Sequence, residues 1–99
     1  MQDVVTLSGS MRFFPEMLEL AGELTCSGKI VLAPFSLKND DPQLAAMLDA
    51  LHKRKIDISD LLYVVTVDHY IGASTESEII YARACGIPVV YRDYQREEG

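Results

Sequence analysis

The stretch Leu61-Leu62-Tyr63-Val64-Val65-Thr66-Val67, running into Asp68-His69-Tyr70, decides the fold of this chain. It is the most continuous apolar run in the sequence and is rich in β-branched residues. A strand without a polar face is one covered on both faces, as at the centre of a parallel sheet. Upstream, Val4-Val5-Thr6-Leu7 is a short β-branched run that stops at Ser8-Gly9-Ser10, a strand ending in a turn. From Met11 to about Thr25, Phe14, Met17, Leu18, Ala21 and Leu24 recur at helical spacing, with Pro15 in the opening turn and Gly28 past the end. Lys29 to Ala33 reads as a second strand stopped by Pro34, and Phe35 to Asp40 as a polar loop. A second helix starts at Asp41 as N-cap, with Pro42 in first position and Leu44, Met47, Leu48 and Leu51 as its expected buried stripe. It ends in His52-Lys53-Arg54-Lys55. Downstream, about Glu76 to Cys85 reads as a third helix closed by Gly86, Pro88 to Tyr91 as a fourth strand, and Arg92 to Gly99 as a polar tail.

Strand and helix thus alternate, and right-handed crossovers then favour a parallel sheet. The fold class expected is α/β: a doubly wound, Rossmann-like, four-stranded parallel sheet of order 2-1-3-4 flanked by helices. With 99 residues there is room for one domain, spanning 1–99. Ligands of open α/β sheets sit where the strand order reverses. That crevice is expected between the loops Ser8 to Arg12 and Asp68 to Glu78.

The hydrophobic fraction is 48% and the charged fraction 24%, the balance of a folded globular chain. A formal charge of −6, offset only by Lys53-Arg54-Lys55, disfavours binding to a nucleic-acid polymer but leaves room for a small anion in a local pocket. Cys26 and Cys85 lie far apart and belong to no Cys-x-x-Cys pair; both read as reduced, buried fillers, and no metal or other cofactor is expected. No apolar run approaches the roughly 18 residues of a membrane span, and Met1-Gln2-Asp3 is acidic rather than basic, so the cytoplasm is the expected compartment.

Two segments of the crevice could carry chemistry. Ser8-Gly9-Ser10-Met11-Arg12 leads from a strand to a helix N-terminus, where free N–H groups attract an anion and Arg12 could add a bidentate fork. The same residues also make an ordinary tight turn with Ser10 as a cap and Arg12 in solvent. The glycines of a Rossmann fingerprint and the Lys of a P-loop are missing. Gly72-Ala73-Ser74-Thr75-Glu76-Ser77-Glu78 opens the third helix beneath the same crevice. There Glu78 is either a functional carboxylate or the far member of a Thr75-x-x-Glu78 capping box. Asp68 ends the third strand and could hold a sugar hydroxyl, though a strand-end Asp also forms turns. A response-regulator receiver would likewise place an Asp here, but the acidic pair it needs after the first strand is replaced by Ser8-Gly9-Ser10 and a fifth strand is missing.

Taken together, Ser8-Gly9-Ser10-Met11-Arg12, then Ile58-Ser59-Asp60 before an apolar strand, then Glu78-Ile79-Ile80-Tyr81-Ala82-Arg83-Ala84 leading to Ile87-Pro88-Val89-Val90, resemble the nucleoside 2-deoxyribosyltransferase-like superfamily. Its members include nucleoside 2-deoxyribosyltransferases and 2′-deoxynucleoside 5′-phosphate N-hydrolases. The resemblance implies that Glu78 is the nucleophile, that Ser10 and Arg12, with Ser8 and Gly9 of the same turn, hold a 5′-phosphate, and that Ser74 could donate to that phosphate. It also implies a homodimer or larger homo-oligomer. Where the family has Gly two residues after the nucleophile, this chain has Ile80. Where it has an assisting Asp on the second helix, this chain has His52, leaving that role to His52, to Asp57 or Asp49, or to none; His52 is otherwise a helix-end cation.

The reaction implied is cleavage of the N-glycosidic bond of a deoxynucleoside 5′-monophosphate through a covalent glycosyl-enzyme on Glu78. Base exchange on a nucleoside is the alternative, and a non-catalytic nucleotide sensor a third.

Overall fold

The computed structural model describes residues 3–35 and 41–95. Four strands, β1 (Val4–Ser8), β2 (Ile30–Leu32), β3 (Leu61–Val67) and β4 (Val89–Tyr94), alternate with three helices, α1 (Phe14–Cys26), α2 (Pro42–Asp57) and α3 (Ala73–Ala84). A 3-10 turn, Met11–Phe13, precedes α1. All neighbouring strands pair in parallel and the order is β2-β1-β3-β4, as the alternation predicts.

β3 is central because it has a core on each side. Its alternate residues Leu62 and Val64 pack with Ile56 of α2 and with Ile79 and Ala82 of α3. Val65 faces the other way, into a cluster of Val5, Leu7, Met17 and Leu20 under α1. The same period places Thr6 and Ser8 of β1 on the α2/α3 side, fully buried hydroxyls that need partners. Thr6 finds Ser59 and the Lys55 carbonyl (3.2 Å), while Ser59 also donates to that carbonyl (2.7 Å). These bonds fasten the end of α2 to β1.

The helices depart from the sequence expectations in instructive ways. On α1 the buried pair is Met17 and Leu20, and Leu18 is 57% exposed. Leu18 sits 100° round from Met17, off the line that Phe13, Met17, Leu20 and Leu24 make on one face. Asp41 caps α2, accepting from the Gln43 amide at 2.9 Å with Pro42 in the first turn. Its supposed stripe is not buried, however: Met47 is 51% and Leu51 39% exposed, Leu44 and Leu48 are half-buried, and the buried residues are His52 and Ile56. Only the last turns of α2 lie on the sheet, and its first half overhangs the strand ends. α3 begins at Ala73, three residues early, after a Gly72 N-cap that makes no side-chain bond. Thr75 is therefore the third helical residue and the capping box does not form.

β4 continues to Tyr94, so the stretch read as the start of a polar tail is strand. Arg92, Asp93 and Tyr94 pair with Val65, Thr66 and Val67, since a seven-residue β3 supplies partners regardless of local propensity. Arg92 also donates to Glu23 of α1 (2.7 Å). Both cysteines are exposed rather than buried. Much of the polar loop expected after Phe35 (36–40), and the last residues of the expected tail (96–99), lie outside the described residues. Among the described residues no helix is long and apolar enough to cross a membrane.

Candidate functional site

The carboxyl ends of β1 and β3 open into a cavity of about 830 Å³ at the point where the strand order reverses. Its walls are the Gly9–Met11 turn, Pro34 and Phe35 after β2, the overhanging face of α2, and Gly72 to Thr75 with Glu78 of α3. This volume suits a small organic ligand.

On α3, Thr75, Glu78, Ile79 and Ala82 are the buried residues, spaced i, i+3, i+4, i+7. A carboxylate has thus been placed on the apolar face of a helix, where it needs partners. β1 supplies one: the buried Ser8 hydroxyl donates to Glu78 Oε1. α2 supplies another: His52 Nε2 lies 3.2 Å from the same oxygen. His52 is 5% and Glu78 8% exposed. The His52 contact falls outside hydrogen-bond geometry, and its Nδ1 has no hydrogen-bonding partner among the described residues. A buried carboxylate with incompletely partnered polar neighbours at a cavity wall is the kind of arrangement found at functional sites as well as in structural networks.

Ser8, His52 and Glu78, singled out separately in the sequence, form one cluster, with Gly9, Ser10 and Ser74 on the same cavity wall. Gly9 has a steric reason: a Cβ there would stand 2.7 Å from the Val65 carbonyl oxygen, so the turn lies hard against β3.

Arg12 and Asp68 are not in the cavity wall. The Arg12 guanidinium lies 4.4 Å from the Tyr70 ring centre, donates to the Tyr70 hydroxyl (3.2 Å) and donates through Nε to Ser10 Oγ (3.3 Å). It is parked at the lip. Asp68 is exposed in a left-handed conformation (φ 50°), its amide bonded to the Tyr94 carbonyl (2.9 Å). Of the alternatives to His52, Asp57 is engaged elsewhere: it accepts from Tyr81 (2.5 Å), whose hydroxyl pKa this bond pushes up to about 12. Asp49 lines the cavity but pairs with Lys53 (3.4 Å). Asp60 accepts from the amides of Asp3 (3.1 Å) and Val4 (3.0 Å), a structural post before β1.

Sequence reasoning missed Phe35 and Lys55 as cavity residues, and placed Thr75 in the crevice segment only as a helix cap. Lys55 Nζ donates to the Ala33 carbonyl (2.7 Å) and sits 4.8 Å from the Phe35 ring centre; partial burial lowers its pKa. Pro34-Phe35, an aromatic just past a strand end, was the available signal. Among the described residues no group of His, Cys, Asp and Glu could hold a metal ion.

No family model matches the chain, and no curated protein matches it in sequence. Its structure matches a solved 2-deoxyribosyltransferase from the psychrotolerant bacterium Bacillus psychrosaccharolyticus with a TM-score of 0.79 at 15% identity, over 95% of this chain and 74% of that one. At this identity the likeness is one of fold.

Proposed function

From the deoxyribosyltransferase-like fold and the carboxylate held at its switch point, we propose that this protein is an enzyme that cleaves the N-glycosidic bond of a deoxynucleoside 5′-monophosphate, with Glu78 as nucleophile. The observation that carries this reading is the buried Glu78 carboxylate in the cavity wall, hydrogen-bonded by Ser8 at Oε1 with the His52 imidazole beside the same oxygen. Both contacts fall on Oε1, leaving Oε2 to react. Oε2 attacks C1′ of the sugar while the C1′–N bond breaks, its electron pair leaving with the nucleobase, which takes up a proton from solvent. Water then attacks C1′ as the C1′–Oε2 bond breaks, its hydroxyl staying on the sugar phosphate and its proton returning to solvent, which regenerates the carboxylate. His52 takes the assisting role, its buried imidazole standing 3.2 Å from Oε1.

The 5′-phosphate is assigned to the gap between Ser10 and the first turn of α3, where Ser74 lines the cavity and no N-cap side chain occupies the first N–H groups of the helix, an arrangement that suits an anion. Arg12 swings onto it from Tyr70. Arg12→Ala removes a charge-assisted bond worth roughly 1.5 to 3 kcal/mol, so monophosphate binding should fall about tenfold to a hundredfold. Calorimetry with the matching nucleoside should show little change; an equal loss for both ligands would remove Arg12 from the phosphate site.

A second reading, base exchange on a nucleoside, is favoured by the activity of the structural neighbour. The two separate in one chromatographic series with each deoxynucleoside and its 5′-monophosphate, with and without an acceptor base. Free base without acceptor identifies a hydrolase, new nucleoside only with acceptor a transferase. Binding without any product would overturn the enzymatic reading in favour of a sensor.

The reading also makes the protein a cytoplasmic homodimer acting on free nucleotides. Among the described residues β4 ends the sheet as an unpaired edge, and Met47 and Leu51 on α2 are exposed apolar side chains that a partner could cover. Sedimentation at micromolar concentration should give about twice the 11.0 kDa chain mass; a monomer would refute this part.

A further inference from the structure

β3 ends at Val67, and the next two residues, Asp68 (φ 50°) and His69 (φ 63°), are both left-handed without being glycine. The Tyr70 amide bonds back to the Val67 carbonyl (3.0 Å), closing a tight turn. Non-glycine residues hold such a conformation only where the surroundings over-determine it. Here the surroundings are the last residues of β4. The Asp68 amide donates to the Tyr94 carbonyl (2.9 Å), and the His69 amide donates to Asp93 Oδ1 (2.7 Å). The same oxygen accepts from the Thr66 hydroxyl (2.6 Å), and Oδ2 lies 3.5 Å from His69 Nδ1. The Thr66 bond, then the His69 amide, hold the Asp93 carboxyl below its usual range, so it is ionised at neutral pH.

The turn delivers Tyr70. Its ring meets Phe13 edge-on, with centroids 5.9 Å apart, and carries the Arg12 guanidinium, which in turn reaches Ser10. A Cβ on Gly72, the N-cap of α3, would stand 3.6 Å from the Tyr70 hydroxyl, so that hydroxyl overlies the same helix start.

We propose that Asp93 is a positioning residue: through the Val67–Tyr70 turn it sets Tyr70, and through Tyr70 it holds Arg12 at the cavity lip, ready for a substrate phosphate. This rests on the phosphate subsite of the reading above. Asp93 is not among the described residues lining the cavity, so any effect it has on substrate is indirect, and the contacts lead from its turn through Tyr70 to Arg12.

The test compares Asp93→Ala, Asp93→Asn, Arg12→Ala and the Asp93→Ala/Arg12→Ala double variant. In the free protein, NMR of the Arg12 Nε–H and the Tyr70 ring should shift in Asp93→Ala and stay near wild type in Asp93→Asn, which keeps the acceptor oxygen; no shift in Asp93→Ala overturns the proposal. Kinetically, Asp93→Ala should raise KM for a deoxynucleoside 5′-monophosphate about tenfold, with kcat and the nucleoside KM little changed. Asp93→Asn should restore most of it, and Asp93→Ala should add nothing to Arg12→Ala. Equal KM changes for both substrates, or additive effects in the double variant, overturn the proposal. A wild type without preference for the monophosphate sinks the phosphate subsite itself, an outcome the NMR signal keeps distinct from loss of the relay.

Discussion

Replacing Glu78 with Gln should leave folding and ligand binding in place while turnover falls on the order of a thousandfold or more, the expected cost of removing a bond-forming group. Gln keeps the size of the side chain and an oxygen to accept from Ser8, but its amide cannot form a glycosyl ester. A helix-capping role would predict the opposite, tolerance of Gln, because a capping box accepts either residue. The structure disfavours that role, since α3 starts at Ala73 and Glu78 lies in its second turn, facing Ser8 and His52. Thermal unfolding and calorimetry should therefore report a near-native variant, and the chromatographic assay a dead one. Quenching wild type with a slow 2-fluoro-sugar substrate should add a sugar to the peptide carrying Glu78. An adduct on another peptide, or a Gln variant that still turns over, would remove Glu78 from the mechanism.

Gly9→Ala should be the costliest small substitution in the site, lowering stability by about 1 to 3 kcal/mol through overpacking. The new Cβ would stand 2.7 Å from the Val65 carbonyl oxygen, a backbone atom in the central strand that cannot turn aside as a side chain could. The turn must lift from β3 instead, carrying Ser8 and Ser10 with it and loosening the bond to Glu78. For a domain of this size each kcal/mol lowers Tm by about 4 to 8 °C, so the change is readily measured by calorimetry. Gly22→Ala is the matched control: nothing lies within 4 Å of a Cβ there, and in the interior of α1 the change should stabilise by roughly 0.5 to 1 kcal/mol. A Gly9→Ala variant as stable as wild type would show that the close approach is not constraining.

Much of this architecture was legible in residue order, because the signals involved are local. The unbroken run Leu61 to Val67, the stop at Ser8-Gly9-Ser10, the Asp41-Pro42 helix start and Gly86 beyond α3 each act over a few residues, and with right-handed crossovers they lead to the order β2-β1-β3-β4. Glu78 on the face shared with Ile79 and Ala82 was also readable as helical spacing. What that face meets was not. That Ser8 and His52 both converge on Glu78 Oε1 follows from how the sheet order juxtaposes β1, α2 and α3, a relation between segments far apart in the chain. The exposed stripe of α2 has the same origin: periodicity says which residues share a face, but only the placement of the helix over the strand ends says that Met47 overhangs while His52 and Ile56 are buried. Likewise Arg92 to Tyr94, polar by composition, became strand because β3 had backbone groups left to pair, and that pairing is what brings Asp93 to the turn holding Tyr70 and Arg12. Local propensity acts over a turn or a pleat, whereas the partners of a buried polar group depend on long-range packing, where backbone hydrogen bonding and burial outweigh the preference of any single residue.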